Sequence, residues 1–270
     1  MRRLLLLLLV LVVGIVAGYW WHGVRLAQAP AQFVAPKRIV DLSLTITEDL
    51  SVRQLGAEFL RQAKLPLRTT FRSLQEQRRP LYRSATIYEL ISHAGTHLDP
   101  ASHLIPGGLS ADNYPLTKLI GRARVLDFRT KARETAISVD ELKNKGIQAG
   151  DIVIVYTGYQ PPTYDSELPS YPYLSAEAAE WLAQLPIKAF ASDLPSLGSI
   201  RRSPQLLATA KTASDVIPEH LAFLTREIPN IEGLTNLEAI VNEPNVVFVA
   251  FPLKIKDSDG GLVRAAALVY

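Results

Sequence analysis

His93-Ala94-Gly95-Thr96-His97-Leu98-Asp99-Pro100-Ala101-Ser102-His103 is the stretch on which the reading of this chain turns. It holds three of the five histidines, with an aspartate between the second and third. Neutral imidazole and carboxylate are good ligands for zinc or another divalent ion. In an extended segment residues 97 and 99 face the same way, so His97 and Asp99 converge easily. His93 and His97 would stand about 13 Å apart in an ideal strand, too far to share an ion. Gly95 offers a remedy, because glycine accepts a bulge or tight bend; a helical turn through 93–97 would also bring the imidazoles together. Pro100 opposes a long helix through the whole stretch. Any one of these histidines alone reads as an ordinary hydrogen-bonding residue. Three with a carboxylate between them read as a metal centre, and the absence of thiolate suits an open, water-carrying ion.

Outward from this stretch the chain alternates short strands and helices. Ile39–Leu44 has strand character, and Ser51–Ala63 can form a helix with Val52, Leu55 and Phe59 on one side. Ala123–Phe128 reads as a strand. Ser138 with Glu141 fits a capping box, and Gly146 can end the helix that follows. Asp151–Tyr156 (DIVIVY) has no polar alternation and reads as a buried strand. Ser175 caps a helix over Ala176–Leu185, stopped by Pro186; Ile187–Ala191 is a further strand. Pro218 marks another helix start, and Asn245–Ile255 and Arg264–Val269 read as closing strands. The mixture, without a regular repeat, predicts an α/β or α+β domain with a mixed sheet.

Composition narrows the function. An apolar content of 48% with 20% charged residues describes a globular chain, and a net charge of +3 without a basic run excludes a nucleic-acid partner. No cysteine is present, which removes disulfides, thiolate zinc sites and cysteine nucleophiles together. At the N-terminus Arg2 and Arg3 precede an apolar run from Leu4 to Trp21, about 18 residues and near the lower limit for a membrane helix. Residues 1–22 are therefore expected to be a membrane anchor with an extracytoplasmic domain beyond it. The alternative is a cleaved signal, with Ala27-Gln28-Ala29 as the site and a secreted or periplasmic product. Residues 23–37 read as a linker and 38–270 as the domain.

The motif resembles the signature of the cyclase-type metal-dependent hydrolases, which include bacterial kynurenine formamidase and isatin hydrolase. His93, Gly95, Thr96, His97, Asp99 and His103 match; Ala101 stands where proline is usual and Leu104 where phenylalanine is common. Asp41-Leu42-Ser43, Asp151–Val153 with Thr157-Gly158, Asp193–Leu197, His220–Leu237 and Val263–Ala265 are similar to further family segments, in order. Gly198 replaces a usual second aspartate. The resemblance implies a compact α/β domain with a barrel-like or swivelling sheet, and one or two ions of zinc or manganese. It implies His93, His97, Asp99, His220 and Glu232 as ligands, His103 as general acid/base, and a homo-oligomer. The implied substrate is an amide, formamide or lactam. A cyclase or dehydratase using the same ligands, and a noncatalytic metal-binding module at the membrane, are the alternatives. For an aryl substrate, Phe71, Tyr88, Tyr156, Tyr159 and Tyr164 are candidate pocket walls, and Arg264 could pair with a carboxylate in substrate or protein.

Overall fold

The computed structural model describes residues 34–78, 81–162, 168–202, 212 and 215–270, and the fold is carried by the unit Pro36–Tyr270. In chain order its strands are β1 (Arg38–Asp41), β2 (Thr70–Arg78), β3 (Leu81–Glu89), β4 (His97–Asp99), β5 (Ile120–Asp127), β6 (Ala136–Ile137), β7 (Ile152–Tyr156), β8 (Tyr173–Leu174), β9 (Ala189–Ser192), β10 (Asn230–Glu232), β11 (Val246–Val249), β12 (Gly261–Leu262) and β13 (Ala266–Val269). The helices are α1 (Leu50–Leu55), α2 (Ala57–Gln62), α3 (Val139–Lys143), α4 (Ala176–Ala183) and α5 (Pro218–Leu224).

Nine strands form one mixed sheet in the order β1-β13-β11-β5-β7-β9-β10-β4-β12. β5, β7, β9 and β10 run parallel to their neighbours in that series, and the pairings on either side are antiparallel. The result is an α/β domain with a curled, half-barrel-like sheet and short flanking helices. β7 shows why both faces are covered. Ile152 and Ile154 enter one apolar cluster with Leu98, Ile231 and Phe248. Val153 and Val155 enter a second with Leu182, Phe190 and Phe223, which brings in α4 and α5. A strand with no polar side chain has to be buried on both sides, and period-2 alternation divides it between two cores.

Local signals set the helix ends. Glu141 Oε2 accepts from both the Ser138 amide and hydroxyl at 2.9 Å, closing the turn that starts α3. Ser175 Oγ accepts the Ala178 amide at 3.0 Å at the start of α4. Pro218 occupies the first turn of α5, where its missing N–H costs nothing. The expected single helix over Ser51–Ala63 is two helices. Gly56 breaks it by taking φ 82°, ψ 141°, a conformation outside the helical region. The antiparallel ribbon β2–β3 was not anticipated.

The expected membrane anchoring is corrected here. No helix among the described residues is long and apolar enough to cross a bilayer. The longest of the five named helices, α4, has eight residues, about 12 Å against a hydrocarbon core of about 30 Å. The apolar run Leu4–Trp21 and the small-residue site at Ala27 lie outside the described residues. The anchor, the membrane as partner and the membrane-anchored placement are thus withdrawn, and the cleaved-signal alternative falls on residues outside the described ones.

Candidate metal centre

The centre is assembled by strand register. β4 and β10 pair antiparallel, with His97 opposite Glu232, Leu98 opposite Ile231 and Asp99 opposite Asn230. Paired residues in such a ladder point to the same side. Leu98 and Ile231 enter the core, so His97, Asp99 and Glu232 all face the other way. α5 then supplies His220, 4% exposed, next to Glu232. Where the motif enters β4, Gly95 adopts φ 68° and makes the bend that folds His93 back; the His93 and His97 rings stand edge to face at 5.2 Å.

The bend is held from three sides. Buried Gln54 of α1 accepts the Gly95 amide at 2.8 Å and donates to its carbonyl at 3.0 Å. Thr96 Oγ1 donates to the Gly233 carbonyl at 2.6 Å and accepts the Leu44 amide at 2.8 Å. Gly233 itself has φ 68°, and a Cβ there would sit 2.5 Å from the Gly95 carbonyl oxygen. Gly233→Ala is therefore expected to cost roughly 1–3 kcal/mol from backbone strain alone. It should also displace Gly95, so thermal unfolding and metal uptake should fall together; unchanged uptake would show that the two loops are not coupled.

His93, His97 and Asp99 place ligand atoms within 4.8 Å of one another, and so do Asp99, His220 and Glu232. Asp99 is common to both sets. Its Oδ1 lies 2.7 Å from His93 Nδ1 and 3.3 Å from His97 Nε2, and its Oδ2 lies 3.6 Å from His220 Nε2. His220 Nε2 is 2.9 Å from Glu232 Oε1, and His97 Nε2 is 3.7 Å from Glu232 Oε2. Nitrogen and carboxylate oxygen converging in a buried site fit a divalent ion such as zinc or manganese. The pairing of these groups with each other also leaves His220 Nδ1 buried with no hydrogen-bond partner among the described residues.

Electrostatics separates the groups. Burial lowers the His93 pKa, but Asp99 and then Asp259 outweigh it and push it up to about 10. His103 is pulled down to about 4 by burial, with Asp99 opposing and the His93 and His220 charges adding to the fall. Burial favours the neutral acid at both central carboxylates. Asp99 is nevertheless held well below the carboxylate range by His93 and His103, whereas Glu232 is raised by burial and by the Asp99 charge. His220 is raised: burial lowers it, and Glu232 more than compensates. His103 ends one turn of 3-10 helix, Ala101–His103. Its ring centroid is 4.2 Å from that of His93 and 6.4 Å from that of His220. Ala101 begins that turn, a position that accepts proline or alanine alike because its N–H has no partner within the turn.

All six histidine and carboxylate residues named from the sequence thus line one cavity of about 160 Å³. Its apolar wall comes from Leu55, Phe59, Leu65, Ile200 and Ile217, with Pro195 and Ser196 from the loop after β9. The four described aromatics named from the sequence, Phe71, Tyr88, Tyr156 and Tyr159, are not among the residues that line it. Phe71 and Tyr88 are exposed on the β2–β3 ribbon, and Tyr159 packs edge to face on Tyr171. The Tyr156 hydroxyl reaches Glu238, and Tyr164 lies outside the described residues. Arg264 is paired with Asp41 at 2.6 Å on the surface. Phe59 is the ring that does line the cavity; its place on an apolar helix face gave no hint of which way it would turn. Asp259, which reaches His93 and His103, was also missed, since nothing in an isolated Asp-Gly marks a functional group. Gly198 has its own counterpart: a Cβ there would meet Glu219 Oε2 at 2.7 Å, so the Glu219 carboxylate fills the space beside it.

The sequence profile of the family described as "Putative cyclase" matches residues 40–199. The kynurenine formamidase of Erythrobacter litoralis (strain HTCC2594) is 33% identical over 174 residues, 64% of this chain and 72% of that protein. The kynurenine formamidase of Salinibacter ruber (strain DSM 13855 / M31) is 28% identical over 181 residues, 65% of this chain and 76% of that one. Isatin hydrolase A from Ralstonia solanacearum superimposes with a TM-score of 0.63 at 21% identity, covering 86% of this chain and 92% of its own, which is a likeness of fold.

Proposed function

The chain belongs to the cyclase family, and from that premise we propose that it is a metal-dependent enzyme that opens or closes a carbon–nitrogen bond at a carbonyl. The class, a metal-dependent hydrolase or cyclase, has the support of the clustered ligands together with the family match. The finer reading takes an amide, formamide or lactam as substrate and water as nucleophile. One observation carries it: two ligand sets share Asp99 on the floor of a cavity that His103 also lines.

His93, His97 and Asp99 would hold one ion, and Asp99, His220 and Glu232 a second or a shared one; zinc and manganese both suit these donors. A divalent ion there would acidify water and polarise a carbonyl. The protein's own part is clearer. His103 is neutral at physiological pH because its pKa is near 4, and its Nδ1 is buried with no partner among the described residues. That atom can take the proton of attacking water and return it to the leaving nitrogen. Leu55, Phe59 and Ile217 exclude bulk water and offer an apolar surface to the non-reacting part of the substrate.

Ring closure with loss of water is lactam hydrolysis run backwards, so a cyclase or dehydratase uses the same donors. The family description favours that alternative, while the name of the Erythrobacter relative favours formamide hydrolysis. Metal analysis of protein purified without added metal or chelator is expected to give one or two equivalents of zinc or manganese. Incubation with formyl-aryl amides, lactams and their ring-opened acids, followed by product analysis, then fixes the direction. No metal bound and none taken up would overturn the metal-dependent reading and leave a chain without metal chemistry.

A further inference from the structure

We infer that Asp259 is a positioning residue that orients His93 in the metal centre, in the way the Gly95 carbonyl orients His97. The inference rests on the proposed centre. A metal-ligating histidine ordinarily offers its second ring nitrogen to a carboxylate or carbonyl, which fixes the tautomer and the ring plane. His97 follows that rule within its own loop: Nδ1 lies 3.1 Å from the Gly95 carbonyl oxygen, so Nε2 is the nitrogen turned to Asp99 and Glu232. His93 presents the opposite edge. Its Nδ1 is on Asp99, and its Nε2, with no hydrogen-bond partner among the described residues, faces Asp259 Oδ2 at 3.5 Å. A small rotation of either side chain closes that gap.

The segment carrying Asp259 is fixed rather than loosely apposed. Gly261 and Leu262 pair with Leu98 and His97 on the outer side of β4. The Ser258 carbonyl accepts the Ala111 amide at 3.0 Å, and the Asp257 amide donates to Asp112 at 3.2 Å. Ser92 Oγ donates to Asp259 Oδ1 at 2.9 Å, which leaves Oδ2 for the imidazole. Gly260 lets the segment come this close, since a Cβ there would lie 2.9 Å from both Cε1 and Nε2 of His93. A backbone pressed onto one edge of a ligand ring, with its carboxylate held by the residue before that histidine, is a support for His93. The His103 ring nitrogen lies in the same group, within 4.8 Å of the Asp259 and His93 ligand atoms, so a rival arrangement with an ion among these three has to be separated by experiment.

Zn2+ and Mn2+ affinities of the full chain, stripped of metal and titrated against a chromophoric chelator, make the test. Asp259→Ala is expected to weaken binding roughly 10–100-fold. Asp259→Asn should lose less, because its amide oxygen still accepts from Nε2–H, and Ser92→Ala less again. Ions bound at saturation and the melting temperature of the stripped protein should match wild type, a combination that general damage would not produce. Wild-type affinity in Asp259→Ala, with His97→Ala defective, would overturn the role of Asp259 and leave the centre standing. One ion fewer at saturation would make Asp259 a ligand and equally overturn it. Wild-type binding in His97→Ala as well would remove the centre itself.

Discussion

Asp99→Asn is expected to bind no stoichiometric metal and to lose turnover with it. Asp99 is 1% exposed and is the member common to both ligand sets. Both of its oxygens are engaged, Oδ1 with His93 and His97 and Oδ2 with His220. Asparagine keeps the shape and one acceptor oxygen but removes the charge, so three imidazoles would face one another with Glu232 as the remaining acid of the two sets. The affinity loss should exceed the roughly 10–100-fold that removal of an outer partner costs. Without the ion the variant should also be less stable, because breaking a buried charge pair from one side costs about 3–5 kcal/mol. Elemental analysis after gel filtration and thermal unfolding with and without Zn2+ separate the two effects. A full complement of metal in Asp99→Asn would show that the ion, where one binds, sits elsewhere.

How much of this was readable beforehand depends on whether the information is local. The buried strand Ile152–Tyr156, the Ser138–Glu141 closure, the Ser175 cap and Pro218 at a helix start are all decided within a few residues. So is the bend at Gly95, which needs only a residue tolerant of φ 68°. The break at Gly56 is local too, but a helix can absorb a glycine or stop at it, and packing decides which. Thr70–Arg78 and Leu81–Glu89 carry charges and polar residues without clean alternation, so their pairing was hidden. The cavity wall was least legible. Phe59 arrives on α2 and Ile217 just ahead of α5, and neither helix announces the angle at which it docks. Asp259 reaches Ser92 across 167 residues through the register of β12 on β4, and register is a property of the assembled sheet. Resemblance located His220 and Glu232 where spacing alone could not. Gly198 looked like a loss until α5 was seen to bring the Glu219 carboxylate to it.

His103→Ala should lower turnover by roughly 10²–10⁴-fold while the protein keeps its metal. His103 belongs to neither set that contains Asp99; it stands beside them, its ring 4.2 Å from His93. Alanine removes a proton acceptor and leaves both Asp99-containing sets complete. The pH profile of kcat/KM gives a second signature. A base must be neutral to act, and burial pulls the His103 pKa to about 4. The wild-type acid limb should therefore lie near pH 4, well below the 6.5 of an exposed imidazole, and should disappear in the residual rate of His103→Ala. Stability supplies a check that needs no substrate. Because the folded pKa lies below the unfolded one, the unfolded chain binds the extra proton, so stability attributable to this group is present above pH 6.5 and is lost as pH falls from there towards 4. His103→Ala should flatten that part of the stability curve. Near-wild-type turnover with metal retained would remove His103 from the chemistry and leave the proton transfer to another group lining the cavity. A variant that lost both metal and turnover would instead make His103 a ligand, and the proton would then have to be carried by another of the groups lining the cavity.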